Sequence, residues 1–241
     1  MGLFAAKCPV GATERAWTQD CMAWLAAEFG REVLKQGPVL PTAGFFPGSY
    51  AGSDADIRAL VAQICGYLNV EPSLLVVEIE PDDGEDAMVA GLGLARKSRS
   101  AAGHYRRENG RPVIAIDQRQ AARPMALVAT IAHELGHVRL LDEQRITPDR
   151  YDHEPLTDLL TVYFGLGIFT ANSAFTFSQG NQSWSYTRLG YLSEQMLGYA
   201  LACYAHLRGE TRPAWARHLD ANPRGYLKQS LLYLAQNPLD I

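Results

Sequence analysis

The sequence predicts an α+β fold: a small, mostly antiparallel sheet flanked by helical regions at both ends of the chain. Three observations carry this. Apolar residues recur at helical spacing through the first 70 residues and again from Ala126 onward. Between these stretches the pattern shortens to strand-length runs. Asn109-Gly110 then falls between Gly103–Arg107 and Pro112–Asp117, the strongest short hairpin signal a sequence carries. No repeat or low-complexity linker divides the 241 residues, so a single domain over 1–241 is expected. Within it, 1–70 reads as helical, 71–170 as the core, and 171–241 as a polar loop with C-terminal helices.

Each element has its own signals. Thr13 caps a first helix running to Gln36, with Gly37-Pro38 as the stop; Trp17, Cys21, Trp24 and Leu25 share one face. An aromatic, Gly/Pro-rich loop follows from Pro41 to Gly52. Ser53 caps a second helix whose apolar stripe is Ile57, Leu60, Val61, Ile64, Cys65 and Leu68. Leu74–Glu80 and Ala87–Ala95 read as strands. Val113–Asp117 reads as an edge strand, because Pro112 at its start lacks a donor. Helical spacing returns from Ala126 to Leu141 and from Asp152 to Phe169, where Pro155 suits the unpaired first turn. Thr170–Arg188 is polar and reads as a loop. Ser193 caps a further helix, with Leu192 stapled onto Leu197, and a last helix spans Gly225–Ala235.

Composition narrows the function classes. Hydrophobic residues make up 47% of the chain, enough to exclude a disordered protein. Lys plus Arg number 22 against 26 Asp plus Glu, a net charge of −4 that exerts no overall pull on nucleic acid or an anionic membrane. The longest apolar run near membrane length, Leu159–Ala171, is too short to span a bilayer, and the N-terminus makes a poor signal peptide. A cytoplasmic location is the expectation, with neither nucleic acid nor membrane as partner. The four cysteines form no CxxC pair, which argues against a cysteine zinc cage.

The chemistry lies in His133-Glu134-Leu135-Gly136-His137, an HExxH inside the apolar run Met125–Ala132. On a helix, residues i and i+4 share a face, so both imidazoles converge on one cation. Glu134 is rotated by roughly 100° and reaches a water beside the ion rather than the ion itself. Its role is general base, taking that water's proton and later passing it to a leaving amine. A catalytic zinc needs a third protein ligand. The HExxHxxGxxH pattern fails, because residue 140 is Leu and residue 143 is Glu. Downstream, Glu154 and Asp158 stand four apart at the start of the next helix. One carboxylate suits the metal, and the other suits the free ring N–H of a ligand histidine.

His133-Glu134-xx-His137 followed by Glu154-xxx-Asp158 resembles the gluzincin metallopeptidases, the thermolysin-like clan. The resemblance covers about residues 74–170 and implies a zincin-like core: sheet, edge strand, HExxH helix, glutamate helix. It implies one catalytic Zn²⁺ bound by His133, His137 and Glu154, with Glu134 as general base and Asp158 behind His133. The implied activity is hydrolysis of peptide bonds in a peptide or protein. The gap of 16 residues between His137 and Glu154, and Pro155 just after it, keep His153 open as an alternative third ligand.

Other features are weighed against bland readings. Tyr151, Tyr186, Arg188, Tyr191, Tyr199 and His206 are candidate donors to a developing oxyanion, each more often a packed or surface residue. Arg96, Lys97, Arg99, Arg106, Arg107 and Arg111 form a basic window that reads as a solvated hairpin rim. Cys8 has no second residue to support a metal-blocking thiolate. The rival function is a non-catalytic regulatory or binding protein on the same scaffold, holding a partner through Phe45-Phe46 or the basic hairpin. Another reading is a protease with a single protein target.

Overall fold

A computed structural model describes residues 6–81, 103–179 and 192–239. Within them the chain is α+β, with eight helices around a three-stranded sheet. The strand expected at Ala87–Ala95 lies outside the described residues.

The N-terminal helix α1 (Ala12–Phe29) starts at Gly11 rather than Thr13, because the Glu14 carboxylate accepts the Gly11 N–H at 2.9 Å. It ends at Gly30, and the short α2 (Glu32–Lys35) follows, where one continuous helix to Gln36 was expected. Helix α3 (Asp54–Leu68) is as anticipated. Ser53 accepts the Asp56 N–H, and all six residues of the apolar stripe are buried. The aromatic loop turns inward. The Phe46 ring stacks edge-on against Tyr67 and Phe169, and Tyr67 donates its hydroxyl to the Phe45 carbonyl at 2.6 Å.

The sheet corrects two expectations. It comprises β1 (Val76–Glu80), β2 (Gly103–Glu108) and β3 (Arg111–Asp117) in the order β1-β3-β2. β2 and β3 form the hairpin turned at Asn109-Gly110, paired from Glu108↔Arg111 to Gly103↔Ile116. β1 runs parallel to β3, from Val76↔Val113 to Glu80↔Asp117, so the described sheet is mixed rather than mostly antiparallel. The stretch Val113–Asp117 is therefore central, not an edge. Val113, Ile114, Ala115 and Ile116 are all buried, and a continuous apolar run fits a strand covered on both faces.

Helix α4 (Pro124–His137) sits against β2 and β3 on one side and α3, α5 and α6 on others. Every residue from Ala126 to His137 is buried, as a helix apolar on all sides requires. A π-helical turn, Val138–Asp142, closes it. The expected helix Asp152–Phe169 is two helices, α5 (His153–Tyr163) and α6 (Gly167–Gln179). Gly165 breaks them at φ 84°, with its N–H bonded to the Val162 carbonyl. A side chain there would meet the Gly37 carbonyl oxygen at 2.6 Å, so only glycine fits this close crossing. α6 also replaces the start of the loop expected from Thr170. Two of its polar residues find hydrogen-bond partners: Thr170 shares a hydrogen bond with Thr161, and Asn172 donates to the His218 carbonyl.

Helix α7 (Glu194–Leu207) begins at the Ser193 cap, with Leu192 and Leu197 both buried. After a 3-10 turn at Ala214–His218, α8 (Ala221–Gln236) packs along α7, starting four residues earlier than expected. One apolar cluster runs from Val10 to Leu234 and joins all these layers. Among the described residues no helix is long and apolar enough to cross a membrane.

Candidate metal centre

Helix α4 delivers His133, Glu134 and His137 to one place, and α5 delivers Glu154, Thr157 and Asp158 to meet them. The two helices can approach this closely because residue 136 is glycine. A Cβ there would lie 2.7 Å from Thr157 Cγ2, shorter than any ordinary contact.

The donors converge. Glu154 Oε2 stands 2.9 Å from His133 Nε2 and 3.4 Å from His137 Nε2. One donor atom from each of the three residues falls within 4.8 Å of the others. Donors at about 2.0–2.1 Å from a tetrahedral ion stand roughly 3.3 Å apart, within a few tenths of an ångström of both separations. The set, two imidazoles and one carboxylate, matches zinc's preference for nitrogen and oxygen ligands. A carboxylate oxygen between two ring nitrogens calls for positive charge among them, which either a protonated His133 or a divalent cation supplies.

The surroundings orient these donors. His133 Nδ1 donates to Asp158 Oδ1 at 2.8 Å, which leaves Nε2 to face Glu154. Asp158 Oδ2 in turn accepts the Leu192 N–H at 3.1 Å. Thr157 donates its hydroxyl to the His153 carbonyl at 2.7 Å, and its oxygen lies a long 3.4 Å from His137 Nδ1. The Tyr105 ring of β2 stacks 5.7 Å from the His137 ring.

Electrostatics follow from burial and these contacts. Burial disfavours a charged His133, yet the carboxylates of Asp158 and Glu154 on its two nitrogens outweigh this and push its pKa up to about 10. Burial lowers that of His137. Burial opposes ionisation of Glu154, but its bonds to His133 and His137 hold it well below the usual carboxylate range. Glu134 is 5% exposed and is pushed up to about 7, chiefly by burial, although the Tyr105 backbone N–H bonds its carboxylate. A cavity of about 20 Å³, room for a water, lies beside it against Gly103 and Thr130.

The structure thus brings His133, His137, Glu154, Glu134 and Asp158 into one site. His153 stands at its margin. Its Nδ1 donates to the Arg150 carbonyl at 2.9 Å, its Nε2 lies 3.2 Å from Glu154 Oε1, and it falls outside the three-donor group. Of the proposed oxyanion donors, Tyr151 is 91% exposed, and Tyr199 is buried with its hydroxyl accepting from Gln19. His206 lines a groove beside α8, while Tyr186, Arg188 and Tyr191 lie outside the described residues. Thr157 and Tyr105 were not singled out from sequence. Thr157 is legible three residues after Glu154 on the same helix face, whereas Tyr105 is reached only through the hairpin register.

The other candidates are engaged elsewhere. Arg106 pairs with Glu78 at 2.6 Å, Arg107 with Asp142 at 3.1 Å, and Arg111 donates to the Ser73 carbonyl at 2.9 Å. Arg96, Lys97 and Arg99 lie outside the described residues. Cys21, Cys65 and Cys203 are buried with thiols pushed upward, chiefly by burial, and Cys8 is half-buried against the core. Compared with known proteins, the chain matches no family model, no curated protein and no solved structure.

Proposed function

We propose that the protein is a zinc-dependent metallopeptidase of the gluzincin type, hydrolysing peptide bonds, with a zincin-like core formed by the sheet, α4 and α5. The observation that carries this is the meeting of one Glu154 oxygen with the Nε2 atoms of His133 and His137, at 2.9 and 3.4 Å, beside a buried glutamate. His133, His137 and Glu154 would hold the ion, and three protein ligands leave a coordination position for reactants. Bound zinc supplies Lewis acidity toward water and toward a substrate carbonyl.

The chain's own groups do the rest. Glu134 takes the proton of the attacking water and passes it to the leaving amine. Asp158 holds the His133 ring by Nδ1, so that its other nitrogen faces Glu154. Among the described residues β2 has a neighbour on one side alone, and its open edge suits an extended peptide added as a further strand. This is the role first expected of Val113–Asp117. Of the surfaces the rival binding-protein reading would use, Phe46 packs against Phe169, and Arg106 and Arg107 pair with Glu78 and Asp142.

The test is metal content by elemental analysis together with cleavage of a proteome-derived peptide library, wild type beside Glu134→Gln. The variant is expected to retain the metal and to lose roughly 10²–10⁴-fold in cleavage rate. Full cleavage by the variant, or a wild type that takes up no zinc, overturns the reading.

A further inference from the structure

Away from this centre, α8, the end of α7 and the return segment 210–216 enclose a groove of about 630 Å³. That volume is ordinary for a small-molecule site. Its floor is aliphatic: Leu227 and Leu234 are buried, and Leu231 is half-buried beside them. Its rim is cationic. Arg212, Arg224 and Lys228 all line it and are exposed, and among the described residues no ion pair or hydrogen bond engages their side chains. The one acid in the lining, Glu210, is already taken up. It accepts from Arg208 at 2.8 Å and from Trp215 Nε1 at 2.7 Å. In a chain of net charge −4, three unengaged cations around one aliphatic trough are a concentrated exception.

We propose that this groove is a ligand site for a single-tailed anionic amphiphile, a long-chain carboxylate. The cations take the head group and the leucine floor takes the tail. A small anion alone has no use for the aliphatic floor, and a neutral hydrocarbon has none for the rim. A protein partner fits less well, because Leu232 is the one exposed large hydrophobic among the described lining residues. A stable protein interface needs about 1,000 Å² or more with an apolar centre. The proposal is independent of the metallopeptidase reading, since the groove shares no residue with the centre on α4 and α5.

The test is calorimetric titration of the full chain with dodecanoate, octanoate, dodecyl maltoside and dodecyltrimethylammonium, each below its micelle concentration. The same ligands are run on Lys228→Glu and on Arg224→Glu/Lys228→Glu. Dodecanoate is expected to saturate one site. Octanoate binds on the order of 100-fold more weakly, because each methylene removed costs about fourfold. The neutral and cationic amphiphiles bind at least about tenfold more weakly than dodecanoate, and the double variant loses at least about tenfold for dodecanoate, since one charge-assisted contact is worth that much. An acidic amphipathic helical peptide is the remaining arm. Three outcomes overturn the proposal: no saturable binding of dodecanoate, equal binding of the three head groups, or capture of the peptide with refusal of dodecanoate.

Discussion

At the scale of single residues, the centre depends on an absence as much as on its donors. Gly136 is one of the two unspecified positions of HExxH, and it is where α4 and α5 touch. Gly136→Ala drives a Cβ to within 2.7 Å of Thr157 Cγ2. The expected cost is about 1–3 kcal/mol, as for other overpacked contacts. Thr157→Ser removes the offending methyl and keeps the hydroxyl, so the double variant recovers most of that loss. Urea unfolding of the four proteins in the cycle measures it, and simple additivity would show that the contact is not the cause. The donors themselves were legible, because helical spacing alone brings His133 and His137 to one face and Glu154 and Asp158 to another. The glycine's task was not legible, since it depends on which residue of α5 lies opposite.

At the scale of elements, α1 reaches across to the turn that precedes Glu154. Trp17 Nε1 donates to Asp152 Oδ2 at 2.7 Å, and Arg150 binds the other oxygen of that buried carboxylate at 2.6 Å. Arg150 also lies over the Trp24 ring, 5.6 Å from its centroid. Trp17→Phe keeps an aromatic ring, though a smaller one, and removes one charge-assisted donor, at an expected cost of about 1.5–3 kcal/mol. Asp152→Ala additionally strands the Trp17 donor and is expected to cost more. Thermal unfolding ranks the two, and a neutral Asp152→Ala would show that the clamp carries no stability. Sequence placed Trp17 on a buried face but gave it no partner, because the contact spans 135 residues. The sheet order is hidden in the sequence for a related reason. Pro112 drew Val113–Asp117 toward an edge, while the unbroken run Val-Ile-Ala-Ile carried the contrary signal of burial on both faces. The division of α5 from α6 hid in the same way: Gly165 sits within an apolar stretch, and only its crossing with Gly37 shows that it ends a helix.

At the scale of the whole molecule, α4 is the hub. It touches the sheet, α3, α5 and α6, and its polar residues are confined to the centre and the Thr130 cavity. Two buried histidines and a buried glutamate within an otherwise aliphatic helix are costly to the fold without compensation. On the proposed reading a divalent cation ties α4 to α5, so its binding adds directly to stability. Zinc at about 1,000 times its dissociation constant adds roughly 4 kcal/mol, or about 10 °C in Tm for a chain of this size. Wild type is expected to shift upward with zinc and back with a chelator, and His137→Ala to shift with neither. An equal response from both proteins would place the ion elsewhere.

The anchoring of Asp152 by Trp17 means that the motif is not self-sufficient. A peptide excised around residues 124–163 would contain every imidazole and carboxylate of the centre, yet of the two side chains that clasp Asp152 it would keep Arg150 and lose Trp17. On the proposed reading, grip on a cation therefore arrives with the tertiary structure, and damage to the first helix would reach the centre without touching His133, His137 or Glu154.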